Sequence, residues 1–297
     1  MLESLAWWAW PLIMLAFTFL IGLISPMSGV GGGVLFVPLT TAFFPFSVDF
    51  VRGAGLMVAL SSALASSPQL IRSGLASLKI TAPTVTVSMV TSVLGGAAGL
   101  WITKQFADGQ YYVTIALGVI LLFVLVVMAL SKRVEYPDVQ VQGPFAAGLG
   151  LEGCWYEPTQ GKLVHYKCTH LRWGVPAFAL TGFIAGMFGM GSGWANVPIL
   201  NLIMGAPIKV ATSTSMLIIA VNTPAAAWVY LANGAILPMI VVPAVVGISL
   251  GARIGAKLAL RAKPKMVRHM VMGILLVSGV LNIVKGLGGL GVIPKGL

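Results

Sequence analysis

Two short runs decide how this chain folds: Ser28-Gly29-Val30-Gly31-Gly32-Gly33 and Phe188-Gly189-Met190-Gly191-Ser192-Gly193. Each interrupts a long apolar stretch, and each is followed five residues later by proline, at Pro38 and Pro198. A shift of 160 residues superimposes them, together with Leu20 on Leu180, Gly22 on Gly182, Ile24 on Ile184, Met27 on Met187 and Val37 on Val197. The same register continues through Ala65 and Ala225, Gly74 and Gly234, Pro83 and Pro243, and Val85 and Val245. Internal self-similarity of this kind is the mark of a duplicated unit. The chain therefore divides into a first repeat over 1–131, a linker over 132–173 and a second repeat over 174–297.

Outward from the breaks, the composition fixes the solvent. Hydrophobic residues make up 58% of the 297 positions and charged residues only 8%, too few charges to cover a soluble globule. Apolar stretches around 7–26, 50–71, 81–103, 111–131, 174–188, 211–231, 236–256 and 269–284 match or approach the roughly 20 residues that cross a bilayer. The fold expected is an all-α polytopic membrane protein. The first stretch carries Glu3 where a secretory leader has a basic region, and no small-residue cleavage site follows, so it reads as a retained helix. The net charge of +11 raises the question of nucleic acid, but the basic residues stand at the ends of apolar segments, where the positive-inside bias puts them. The partners expected are the lipid bilayer and a small-molecule substrate, with no nucleic acid; nothing signals an oligomeric state.

The same bias chooses between two topologies. If each glycine run is the tip of a re-entrant hairpin, every Lys and Arg falls on one side except Arg52, Lys104, Lys285, Lys295 and the intrahelical Arg253. If each is a kink in a single passage, the charges split nearly evenly and the bias vanishes. The hairpin reading gives five membrane-entering segments per half and inverts one half relative to the other. It places the linker in the cytoplasm, both termini outside, and the two breaks together near the midplane. The linker holds four of the seven acidic residues, both cysteines and two of the three histidines. It reads as an irregular, solvated connector with a short helix around 144–151, and its cytoplasmic location implies reduced thiols. Cys154, His165, Cys168 and His170 are the residue types that bind Zn²⁺, but their spacing matches no compact finger, so no metal or other cofactor is expected.

Non-helical backbone at membrane depth persists only where protein or a water-filled cavity satisfies its polar groups. A helix that begins at such a break aims its N-terminal N–H groups inward, a seat for an anion. The substrate-site candidates are therefore Ser28, Gly29, Gly31, Gly32 and Gly33 with Gly189, Gly191, Ser192 and Gly193. The alternative is that these glycines only let helices pack closely. Ser61, Ser62, Thr212, Ser213 and Thr223 offer hydroxyls, and Thr214, Ser215 and Asn222 stand out as further site candidates; such groups equally bond between helices or to the i−4 carbonyl. Arg253 is either a cavity cation or a side chain that snorkels to the interface beside Lys257. No Asp or Glu follows Glu157 and none falls inside the apolar stretches above, so the carboxylate relay usual in proton coupling is missing. No nucleophile, base and acid set suggests an enzyme.

At the glycine runs the sequence resembles the sulfite exporter TauE/SafE family, also called TSUP transporters. The resemblance rests on Gly29, Gly31, Gly32, Gly33 and Pro38, on Gly189, Gly191, Gly193 and Pro198, and on Ala211 to Ser215. It covers both halves but not the linker. The resemblance implies secondary transport of sulfur-containing anions such as sulfite, sulfoacetate or related sulfonates across the plasma membrane, typically as export. Two rival readings remain: a passive anion channel, and a non-transporting sensor or partner protein that acts through its linker.

Overall fold

The computed structural model describes residues 9–130, 137, 142–157, 161–259 and 264–292. The first half runs α1 (Ala9–Ser28), α2 (Gly32–Phe43), α3 (Val48–Arg72), α4 (Leu78–Gln105) and α5 (Gly109–Leu130). The second repeats the order with α7 (Leu171–Phe188), α8 (Gly193–Pro198), α9 (Ile208–Ala232), α10 (Pro238–Ala259) and α11 (Pro264–Gly289). Among the described residues, eight of these helices are long and apolar enough to cross a membrane, α2 and α8 being the short ones. The chain is an all-α polytopic membrane protein. Lys132, Arg133, Arg261, Lys263 and Lys295, on which part of the charge count rests, lie outside the described residues.

Helices dominate because a lipid-solvated backbone must bond to itself. Polar side chains inside the spans follow the same rule and return to the preceding turn: Thr18 donates to Met14 O at 2.7 Å, Ser66 to Ser62 O at 2.8 Å and Thr84 to Ile80 O at 2.9 Å. The outward faces carry bare aliphatic and aromatic groups. Leu94, Phe123 and Leu180 are 58%, 59% and 61% exposed, a surface suited to acyl chains and not to water.

Contacts between elements come in pairs that exchange the two halves. Helix α1 packs along α10 and α7 along α4, while α3 meets both α9 and α10 and α9 meets both α3 and α4. The pairing holds at single residues. A Cβ on Gly22 would stand 2.6 Å from Ile248 O, and one on Gly182, 160 residues on, would collide with Ser88 O, 160 residues before Ile248. Backbones this close are the small-residue packing that membrane helices use in place of a hydrophobic driving force.

Within the linker the expected short helix is α6 (Pro144–Gly148), but the rest departs from an irregular connector. Strands β1 (Glu152–Glu157) and β2 (Lys162–Lys167) form an antiparallel hairpin with Cys154 opposite His165 and Trp155 opposite Val164. Trp155 and Tyr166 are buried with ring centroids 5.9 Å apart, whereas Cys154 and His165 are exposed. This two-residue alternation is the strand signal, masked in the sequence by the glycines that flank it. The hairpin's return is pinned to the second repeat, where Thr169 N donates to Met204 O at 2.9 Å. Cys168 is fully buried there, and loss of water pushes its thiol up to about 12.

A candidate substrate site at the two glycine breaks

Each break is a helix stop followed at once by a helix start. Helix α7 ends on Gly189 in the left-handed conformation, and α8 starts at Gly193. Helix α1 ends at Ser28, and α2 starts beyond Gly31, which has φ 84° and ψ 150°. Gly191 has φ 77°. A side chain strains this backbone at either position, which is the local reason for glycine there.

The two breaks touch. A Cβ on Gly33 would stand 2.6 Å from Met190 O, and one on Gly193 would collide with Val30 O, the residue equivalent to Met190. Helices α9 and α3 flank the pair in the same reciprocal way: Ile219 faces Gly31, and its equivalent Ala59 faces Gly191, with gaps of 2.9 and 3.3 Å to a Cβ built on each glycine. All nine candidates in the two runs are buried and lie in this one region.

Side chains then divide the region into two unequal networks. At the second break Ser192, fully buried, accepts from Asn196 Nδ2 at 2.9 Å and from Asn222 Nδ2 at 3.2 Å. Asn222 Nδ2 also donates to Ser88 Oγ at 3.3 Å, and Asn222 Oδ1 accepts from Thr223 Oγ1 at 3.1 Å. Two amide donors occupy both lone pairs of Ser192 Oγ, so its own O–H must point to a further acceptor. Two positions along, the buried Trp194 Nε1–H has no acceptor among the described residues. At the first break Ser28 Oγ donates to Ser25 O at 3.0 Å, Ser25 and Ser62 share a hydrogen bond of 2.8 Å, and Ser215 Oγ donates to Gly29 O at 2.7 Å. No side chain caps the N-terminus of α2.

Thr214 serves a neighbouring joint, its Oγ1 accepting from Ser77 N at 3.0 Å at the start of α4. Arg253 is not gathered with the others: it is exposed on α10, on the same outward side as Ile254, Lys257 and Leu258. That is the snorkelling arrangement, with the guanidinium free to reach an interface. Among the described residues no three His, Cys, Asp or Glu side chains come together as a metal-binding group.

Two charged residues of α3 differ from what their places in the sequence suggest. Asp49 lies in the first turn of α3, a helix long and apolar enough to span that begins two residues before the apolar stretch read at 50–71. Arg52, read as a surface charge at a helix end, is 0% exposed and pairs with Asp49. The pairing escapes a hydropathy reading, which scores each residue by itself and carries no contact between residues. Arg52 Nη1 also donates to Met187 O at 2.9 Å and Nη2 to Gly99 O at 3.2 Å. Thr103 Oγ1 donates to Asp49 Oδ2 at 2.9 Å, and Tyr230 places its ring 5.6 Å from the guanidinium and its hydroxyl 3.0 Å from Gly186 O. Asn196 was also missed, although its place four residues after Ser192 puts both on one helical face.

A family model for the sulfite exporter TauE/SafE matches residues 14–281, both repeats and the linker between them. The chain belongs to the sulfite exporter TauE/SafE family. It is a membrane transporter by that membership. The chain is similar to the probable membrane transporter protein YunE of Bacillus subtilis (strain 168), 22% identical over 284 residues that cover 93% of this chain and 98% of that one. No solved structure matches this TauE/SafE family member.

Proposed function

We propose that this transporter carries small sulfur-containing anions, such as sulfite, sulfoacetate or related organosulfonates, and that the two touching breaks are the binding site. The observation that carries the reading is the donor-rich junction itself. The Ser192 hydroxyl and the Trp194 indole N–H are buried two residues apart at the second break, beside the starts of α2 and α8, and the indole N–H has no acceptor among the described residues, as Asn196 Oδ1 has no donor. An anion supplies an acceptor for the indole N–H, and backbone N–H groups bind it without a fixed counter-charge that would trap it. The one carboxylate described in this region, Asp49, is turned to Arg52.

The reciprocal contacts support an inverted arrangement of the halves, in which rocking of one half against the other opens the shared site alternately to each side. In this arrangement the linker is cytoplasmic, both termini are outside and the host is the plasma membrane, with export as the direction. The test is counterflow in proteoliposomes with sulfite, thiosulfate, sulfate, sulfoacetate and taurine, and an organic cation as control. Saturable counterflow of one sulfur anion is expected. Flux that rises linearly without saturation replaces the carrier with a channel, and no anion flux from folded protein removes the reading.

A further inference from the structure

The second break carries a cationic fixture that the first lacks. The C-terminal carbonyls of α7 are the negative end of a helix pointed into the anion site, and they should repel the substrate. They are covered: Met187 O accepts from both Arg52 Nη1 and Tyr230 Oη, at 2.9 and 3.1 Å, and Gly186 O accepts from Tyr230 Oη. At the first break the position equivalent to Arg52 is Thr212 of α9, whose hydroxyl turns back to Ile208 O and Lys209 O, and the position equivalent to Tyr230 is Leu70 of α3, which has no donor. The end of α1 therefore has neither counterpart.

Arg52 is wholly buried in a candidate span, and its Nε has no partner among the described residues. A charge held there at such desolvation cost calls for a function beyond packing. Asp49 does not cancel it at the site. Residues 52, 55 and 59 of α3 run along the second break, the Arg52 backbone and Gly55 against Gly189 and Ala59 against Gly191, and the Arg52 guanidinium reaches Met187 O, two residues before Gly189. Asp49 lies one turn back from that contact, and its side chain is 27% exposed where Arg52 is 0%. Water screens the partly exposed negative charge more strongly than the wholly buried positive one.

We propose that Arg52 is the charge that makes the central site select anions and rank them by valence, acting as a positioning residue through the α7 carbonyls and its field without touching substrate. This inference rests on the anion-site reading above. Half-saturating concentrations in counterflow test it, with sulfate as the divalent probe and methanesulfonate as the monovalent one. Arg52→Gln is expected to raise the value about tenfold for sulfate and about threefold for methanesulfonate, since the energy scales with the charge of the probe. Asp49→Asn keeps an acceptor for Arg52 and removes only the negative charge. It is expected to lower both values about twofold or more, sulfate the more. Arg52→Lys is expected to recover most of the valence ranking.

A purely structural network predicts the opposite sign for Asp49→Asn: both variants weaken binding, equally for both probes. That result overturns the inference and leaves the transport reading in place. Because Asp49→Asn decides the sign by itself, the inference stays open to refutation even when Arg52→Gln fails to fold. Wild-type protein without saturable anion flux removes both readings together.

Discussion

The two glycine breaks descend from one sequence pattern and reach the same backbone path by different means. The second is held by side chains: two amides converge on Ser192, and an arginine and a tyrosine cover the end of α7. The first is held by backbone and small hydroxyls, with Ser215 of the other half supplying the bond to Gly29 O. A duplicated fold fixes what geometry requires, here glycine at a positive φ and at the touching point, and leaves each copy free in how it satisfies its polar groups.

The comparison is broken most severely by substitutions that the backbone forbids in both copies. Gly31→Leu and Gly191→Leu are each expected to abolish counterflow while the protein still inserts, because a side chain strains the backbone and fills the space shared with Ile219 or Ala59. Normal transport by both variants removes the breaks from consideration. Ser192→Ala sharpens the contrast next, since it removes an acceptor from two buried amides at once and leaves Asn222 only its bond to Ser88. Anion affinity is expected to fall about tenfold, with a stability loss of about 1–3 kcal/mol by thermal melting. Ser28→Ala, at the equivalent break, is expected to change affinity less than threefold; equal losses at the two positions erase the distinction. Ser215→Ala strands the carbonyl of Gly29 and is expected to cost about 1–3 kcal/mol in the same assay. The smallest effect belongs to Arg253→Gln, whose exposed guanidinium faces away from the breaks, so anion affinity is expected to stay unchanged.

The linker offers a separate check. Cys154 is exposed and should react with a maleimide at pH 8 within minutes, while Cys168, buried with its thiol raised to about 12, should react only after unfolding. The sign follows from the thiolate being the reactive form: below that value the buried group stays protonated. Rapid labelling of both cysteines contradicts the seated hairpin.

Much of this architecture is legible in the amino-acid sequence because membranes leave few options. Long apolar runs must be helices, and a glycine-rich interruption repeated at a fixed shift must be a shared irregularity that the two copies satisfy together. The helix order of each half and the meeting of Gly33 with Met190 follow from that logic. What escaped it depends on pairs brought together by folding. Asp49 and Arg52 each look like a helix-end charge until three residues of α3 turn them toward each other and toward Met187, far along the chain. Asn196 lies in an apolar stretch whose helix is too short to show a period. The hairpin of the linker was hidden because only one face of two short strands is apolar, and glycines break the alternation.

The bond from Ser215 to Gly29 O spans 186 residues of sequence, and Arg52 reaches Met187 O across 135. A ribosome therefore delivers the first break to the membrane long before its partners exist. Until α9 arrives, the Gly29 carbonyl has to be kept by water or by the insertion machinery. The contacts that satisfy the first break can form only after α9 of the second half is made. A chain that stops after the linker would expose an open polar wound in an otherwise finished set of helices, a natural mark for quality-control proteolysis.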